Sequence, residues 1–231
     1  RWLAYGAALG RARKRTLGWL GAEAAPRAEI FLYEHPEDFE ACLGTSALAV
    51  ANRLLPRAHV LLSPGLPDDG GATLARVVAR AVAGTPASQW VEDGLAVAAA
   101  GSWWGRPLDE WVAHLAAGEL LPGVAEIVID SASEAFSEHL LAPARAVLFE
   151  PAALTPGHTR ALWKSTTFDA KVLTPFYRLG IEKARTANRP ARGKRGDPQP
   201  SSTAAGAGAS FWKPRESGAY RGTAERCRGP S

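Results

Sequence analysis

The stretch Thr73-Leu74-Ala75-Arg76-Val77-Val78-Ala79-Arg80-Ala81-Val82-Ala83-Gly84, followed by Trp90-Val91-Glu92-Asp93-Gly94-Leu95-Ala96-Val97, decides how this chain is read. Apolar residues recur at helical spacing through Leu74–Ala83; Thr73 stands where a cap belongs, and Gly84-Thr85-Pro86 stops the run. A second helix is predicted from about Ser88 through Ala100. Arg76 and Arg80 are four residues apart and so share one helical face. Glu92 and Asp93 follow just after the intervening turn.

Outward from this pair, the N-terminal side is mixed. Residues 1–20 read as a helix with a cationic band of Arg11, Arg13, Lys14 and Arg15, which suits either a solvated face or a phosphate or anionic lipid surface. Glu29–Tyr33 is a β-prone run stopped at His35-Pro36, Pro36–Phe39 opens a short helix, and His59–Ser63 is a second strand closed by Pro64-Gly65. The C-terminal side is mostly helical as far as Lys164, with further helices opening at Pro107 and Ser133 and one after Pro156-Gly157. Strands first and helices afterwards predict an α+β fold. Residues 184–231, rich in Gly, Ser, Pro and Arg, lack the apolar side chains that would offset backbone ordering of roughly 1–2 kcal/mol per residue, and read as a basic disordered tail.

The central stretch resembles gluzincin-type zinc metallopeptidases, the peptidase-MA-like group related to aminopeptidases. In that family a helix bearing His-Glu-x-x-His precedes a second helix beginning Trp-x-x-Glu-Gly-Leu-Ala, whose Glu is the third zinc ligand. Here the first His falls at Arg76, the general base at Val77, the second His at Arg80 and the third ligand at Asp93, directly before Gly94-Leu95-Ala96. The likeness spans about residues 28–165. It implies a domain division of 1–27 (helix and linker), 28–183 (peptidase-MA-like domain, a small N-terminal β portion followed by a mainly helical zincin-like body) and 184–231 (tail).

Family membership would imply peptidase activity, and the replaced residues oppose it. A guanidinium has no available lone pair, valine accepts no proton, and one carboxylate does not hold a catalytic metal. The expectation is a pseudoenzyme with no catalytic residue, no cofactor and no metal, its vestigial site made of Arg76, Val77, Arg80, Glu92 and Asp93. With the ion gone, at least one arginine should pair with Asp93 or Glu92 and hold the two helices as the metal would have done. The vestigial cleft is then free to bind a peptide or partner protein. Two other functions fit the sequence: an active zinc peptidase with ligands elsewhere, and a helical binding protein using its basic tail on nucleic acid or anionic lipid.

The remaining sequence narrows these readings. The five histidines form no HxH, HxxH or HxxxH pair, and no Gly-x-Ser-x-Gly, P-loop or dinucleotide fingerprint occurs. Trp103-Trp104 forms an adjacent pair that cannot easily point inward together, so one of them is a candidate binding surface. Cys42 and Cys227 are too few for a cysteine-rich zinc site. In 231 residues, 27 Lys and Arg stand against 23 Asp and Glu, but residues 183–231 hold 11 of the former and three of the latter. The body is therefore mildly acidic and the end basic, which leaves weak electrostatic partners for the tail. No run of about 18 apolar residues exists to span a bilayer. The chain has no Met, its first residue included, a start compatible with an exported protein that has lost a leader, or with truncation.

Overall fold

A computed structural model describes residues 2–45, 47–52, 54–62, 70–103, 105–128, 138–149 and 155–188. The helix α1 (Trp2–Leu20) is part of the body and not an appendage: Leu17 packs with Leu74 and Val78, and Trp19 and Leu20 enter the main core. Its band of Arg11, Arg13, Lys14 and Arg15 is exposed. Gly21 ends it at φ 59°, and Arg160 donates to the carbonyls of Leu20 and Gly21, satisfying groups a helix end leaves open.

Three strands follow in a mixed sheet. β1 (Glu29–Tyr33), α2 (Pro36–Leu43), β2 (Ala49–Ala51) and β3 (Arg57–Leu61) succeed one another. The sheet order is β1-β3-β2, with β1 parallel and β2 antiparallel to the central β3. Alternation decides the faces. Ile30 and Leu32 point with Val60 to the helices, while Phe31 and Tyr33 share the other face with His59. β3 begins two residues earlier than its apolar run predicts, because Arg57 pairs across the strands with Glu29 at 2.6 Å. β2 was not foreseen; three small residues carry too little periodicity to announce a strand.

The helices α3 (Gly70–Ala83) and α4 (Gln89–Ala100) come next. Thr73 does not cap α3; it is buried one turn inside, since Gly70 and Gly71 continue the helix inward where Gly71 lies close to Ala100. α4 is buried from Trp90 to Ala99, the mark of a central helix sheathed on all sides. A small hairpin, β4 (Ser102–Trp103) with β5 (Arg106–Pro107), leads to α5 (Leu108–Ala117), α6 (Val124–Ile127), α7 (Glu138–Val147), α8 (Pro156–Lys164) and α9 (Ala170–Ala187). Two glycines set the tightest crossings. A Cβ at Gly94 would stand 2.8 Å from the Arg145 carbonyl oxygen, and one at Gly180 would stand 2.7 Å from that of Val147, so α4 and α9 both approach the backbone of α7 directly.

The architecture is mainly helical α+β with a small β portion. α9 crosses the expected domain boundary at 183 and runs to Ala187, with Ala184 buried in the core. The remainder of the basic tail, 189–231, lies outside the described residues. Among the described residues, no helix is long and apolar enough to cross a membrane.

Candidate functional site

The two-helix segment singled out in the sequence does converge. α3 presents Arg76 and Arg80 from one face, and α4 presents Glu92 and Asp93 one turn beyond its start, where the positive end of the helix favours acids. Arg80 grips Glu92 with two parallel bonds, Nε to Oε1 at 2.5 Å and Nη2 to Oε2 at 2.6 Å. Its remaining arm, Nη1, donates to the backbone oxygen of Asn52 at 3.3 Å, just past the end of β2. Arg76 Nη2 reaches Asp93 Oδ1 at 3.3 Å. Both arginines therefore pair across the helices, where the charge argument required only one. Val77, between them, is buried.

A third arginine completes the cluster. Arg145, on α7, donates from Nη1 to Asp93 Oδ2 at 3.2 Å and from Nε to the Ile127 carbonyl at 3.0 Å. Gln89 Nε2 bridges the two acids, 3.2 Å from Glu92 Oε2 and 2.9 Å from Asp93 Oδ1. The sequence reading missed Arg145, yet its signal was present: a single charge inside Leu140-Leu141-Ala142-Pro143-Ala144-Arg145-Ala146-Val147-Leu148-Phe149 needs a buried partner. Burial is deep, with side-chain exposures of 0% for Glu92, 2% for Arg145, 9% for Asp93 and 15% for Arg80. Such charges are tolerated only when their hydrogen bonds are met, and here each carboxylate accepts from guanidinium and amide donors.

This donor set does not fit the zinc ion that the family resemblance implies. The positions expected for two imidazoles carry groups with no lone pair, and the oxygens of Asp93 are turned to Arg76, Arg145 and Gln89. Among the described residues no cluster of three or more His, Cys, Asp or Glu side chains could hold a metal. What the arrangement does is mechanical: it ties α3, α4, α7 and the end of β2 through one ionic network.

The other sequence candidates fall elsewhere. Trp103 turns inward and is buried, while Trp104 lies outside the described residues. Trp111 Nε1 donates to the Trp103 carbonyl, fixing the hairpin against α5. Trp90 is fully buried and meets Phe168 edge to face at 4.6 Å. On the outer sheet face His59 stacks on Phe31, with ring centres 4.9 Å apart, and shares a 2.9 Å hydrogen bond with Tyr33 Oη. Burial, and then the nearby Arg57 charge, hold its imidazole below the ordinary value. No family model matches this chain, and neither curated proteins nor solved structures give a significant match.

Proposed function

We propose that this chain is a non-catalytic, metallopeptidase-like domain in which arginine–carboxylate pairs stand where a zinc centre would be, and that the cleft beside them holds a peptide or a partner segment without cutting it. One observation carries the reading: Arg76 and Arg80, at the spacing of the two histidines, are ion-paired with Asp93 and Glu92 on the following helix. Three cations and two anions at one centre supply the positive charge that an ion would otherwise bring. They supply no nucleophile, because neither valine nor a guanidinium can draw a proton from water.

On this reading the peptide would lie along β2, beside the network. β2 is an edge strand among the described residues, paired on one side with β3, and an edge strand offers backbone groups to an extended peptide. Arg80 joins this edge to the ionic centre through Asn52.

Elemental analysis and a hydrolysis assay on purified protein test the proposal. The expected result is zinc at trace level only and no cleavage of casein with or without added zinc. A casein digest should shift the backbone amide resonances of Ala49, Val50 and Ala51. One zinc per chain with chelator-sensitive cleavage would overturn the non-catalytic reading, and unmoved β2 amides would overturn the peptide cleft.

A further inference from the structure

A cavity of about 320 Å³ opens at the other end of α4, beyond the ionic network. Its lining includes Ala98 and Gly101, which place it roughly 7–12 Å along the helix axis from Asp93, taking 1.5 Å per residue. The volume is at the lower end of the range for small-molecule sites.

The walls and the rim differ in chemistry. Trp19, Leu108, Val112 and Val147 line it and are buried. Gly180 and Ala184 of α9 add no bulk of their own, and the α7–α9 crossing at Gly180 leaves no room for a larger residue. The rim carries Arg15 and Lys183, both exposed, against one acid, Asp109. Arg15 is positioned: its Nη1 donates to the Ala99 carbonyl at 3.4 Å, and a Cβ at Gly101 would collide with that nitrogen. The guanidinium thus lies over the C-terminal end of α4, where cations are favoured, and retains donors on its other nitrogens. Asp109 Oδ1 accepts from the Glu110 amide, which turns it toward the start of α5.

We propose that this cavity binds a small amphipathic monoanion, an apolar body seated against Trp19 and Val112 with its carboxylate on Arg15. A fork of parallel N–H donors matches a carboxylate. The acid on the rim selects against a doubly charged head, so a single negative charge is the better fit. This site shares no residue with the ionic network and does not depend on the proposed function.

The test uses octanoate, octan-1-ol and octylammonium on the full chain, following the Trp19 indole N–H by NMR, assigned with Trp19→Phe. Octanoate should shift that signal saturably, with a Kd on the order of 0.1–1 mM. Octan-1-ol should bind about tenfold more weakly, and octylammonium should not saturate. Arg15→Gln, an exposed substitution, should remove the preference for octanoate over octan-1-ol while the alcohol binds as before. An unmoved Trp19 signal, equal binding of anion and cation, or a preference that survives Arg15→Gln would overturn the proposal. Should the variant fail to fold, the comparison of the three probes on the unaltered chain still decides.

Discussion

Arg80 and Glu92 meet fork to fork across α3 and α4, at 2.5 and 2.6 Å, with the Glu92 side chain wholly removed from water. Truncating one member of such a pair leaves the other charge buried without its partner. Glu92→Ala is therefore expected to lose about 3–5 kcal/mol in urea unfolding. The double replacement Arg80→Met with Glu92→Leu removes both charges and should recover most of that loss. A single-variant loss below about 1 kcal/mol would mean the pair behaves as an exposed one.

Asp93 has a different role, because it joins two helices to α4 at once. Its oxygens accept from Arg76 on α3, Arg145 on α7 and Gln89 within its own helix. Asp93→Ala strands the deeply buried Arg145 and should again cost about 3–5 kcal/mol. Arg76→Ala should cost less, since Arg76 is 19% exposed and Asp93 keeps Arg145 and Gln89. Equal losses for the two variants would place the weight of the network on Arg76 instead.

The α4–α7 crossing yields a paired test. A Cβ at Gly94 would stand 2.7 Å from Phe149 Cε2 and 2.8 Å from the Arg145 oxygen, and backbone cannot step aside as a side chain can. Gly94→Ala should destabilise by about 1–3 kcal/mol. Gly18 in α1 is exposed, with nothing within 4 Å of the same added carbon. Gly18→Ala should stabilise by about 0.4–1 kcal/mol through the unfolded chain. Thermal melts of the two variants should move in opposite directions.

The sequence was legible where one residue's pattern decides its own element. The period of Leu74–Ala83 and the Gly84-Thr85-Pro86 stop mark a helix that does end at Ala83, though it begins a turn earlier at Gly70, and Pro156-Gly157 marks the start of α8. α9 has no counterpart among the expected helices: Pro175 lies inside it, and Gly180 lets the helix lie on Val147, a contact that no local pattern announces. Charges four apart on α3 and two consecutive acids on α4 foretold the pairing. Arg145 was beyond that local logic, since its partner is 52 residues away. The cavity was beyond it for the same reason: Arg15, Gly101, Val112 and Lys183 belong to different elements and only packing gathers them.

The outer sheet face should make stability depend on pH. His59 is held below the ordinary value of 6.5, first by burial beside Phe31 and Tyr33 and then by the Arg57 charge. The native state therefore binds a proton less readily than the unfolded chain. The stability from neutral His59 is complete above 6.5 and declines as pH falls through that value, until the folded imidazole is protonated too. Urea midpoints should drop between about pH 7.5 and about pH 5, over a range where few carboxylates titrate. His59→Phe keeps a ring to stack on Phe31 but has nothing to protonate, so it should flatten that slope even if the lost bond to Tyr33 lowers the whole curve. A slope unchanged in His59→Phe would assign the acid sensitivity to another group. Glu29, paired with Arg57 at 2.6 Å on the neighbouring strand, is the control: Glu29→Gln leaves Arg57 unneutralised beside His59 and should steepen the decline, not remove it.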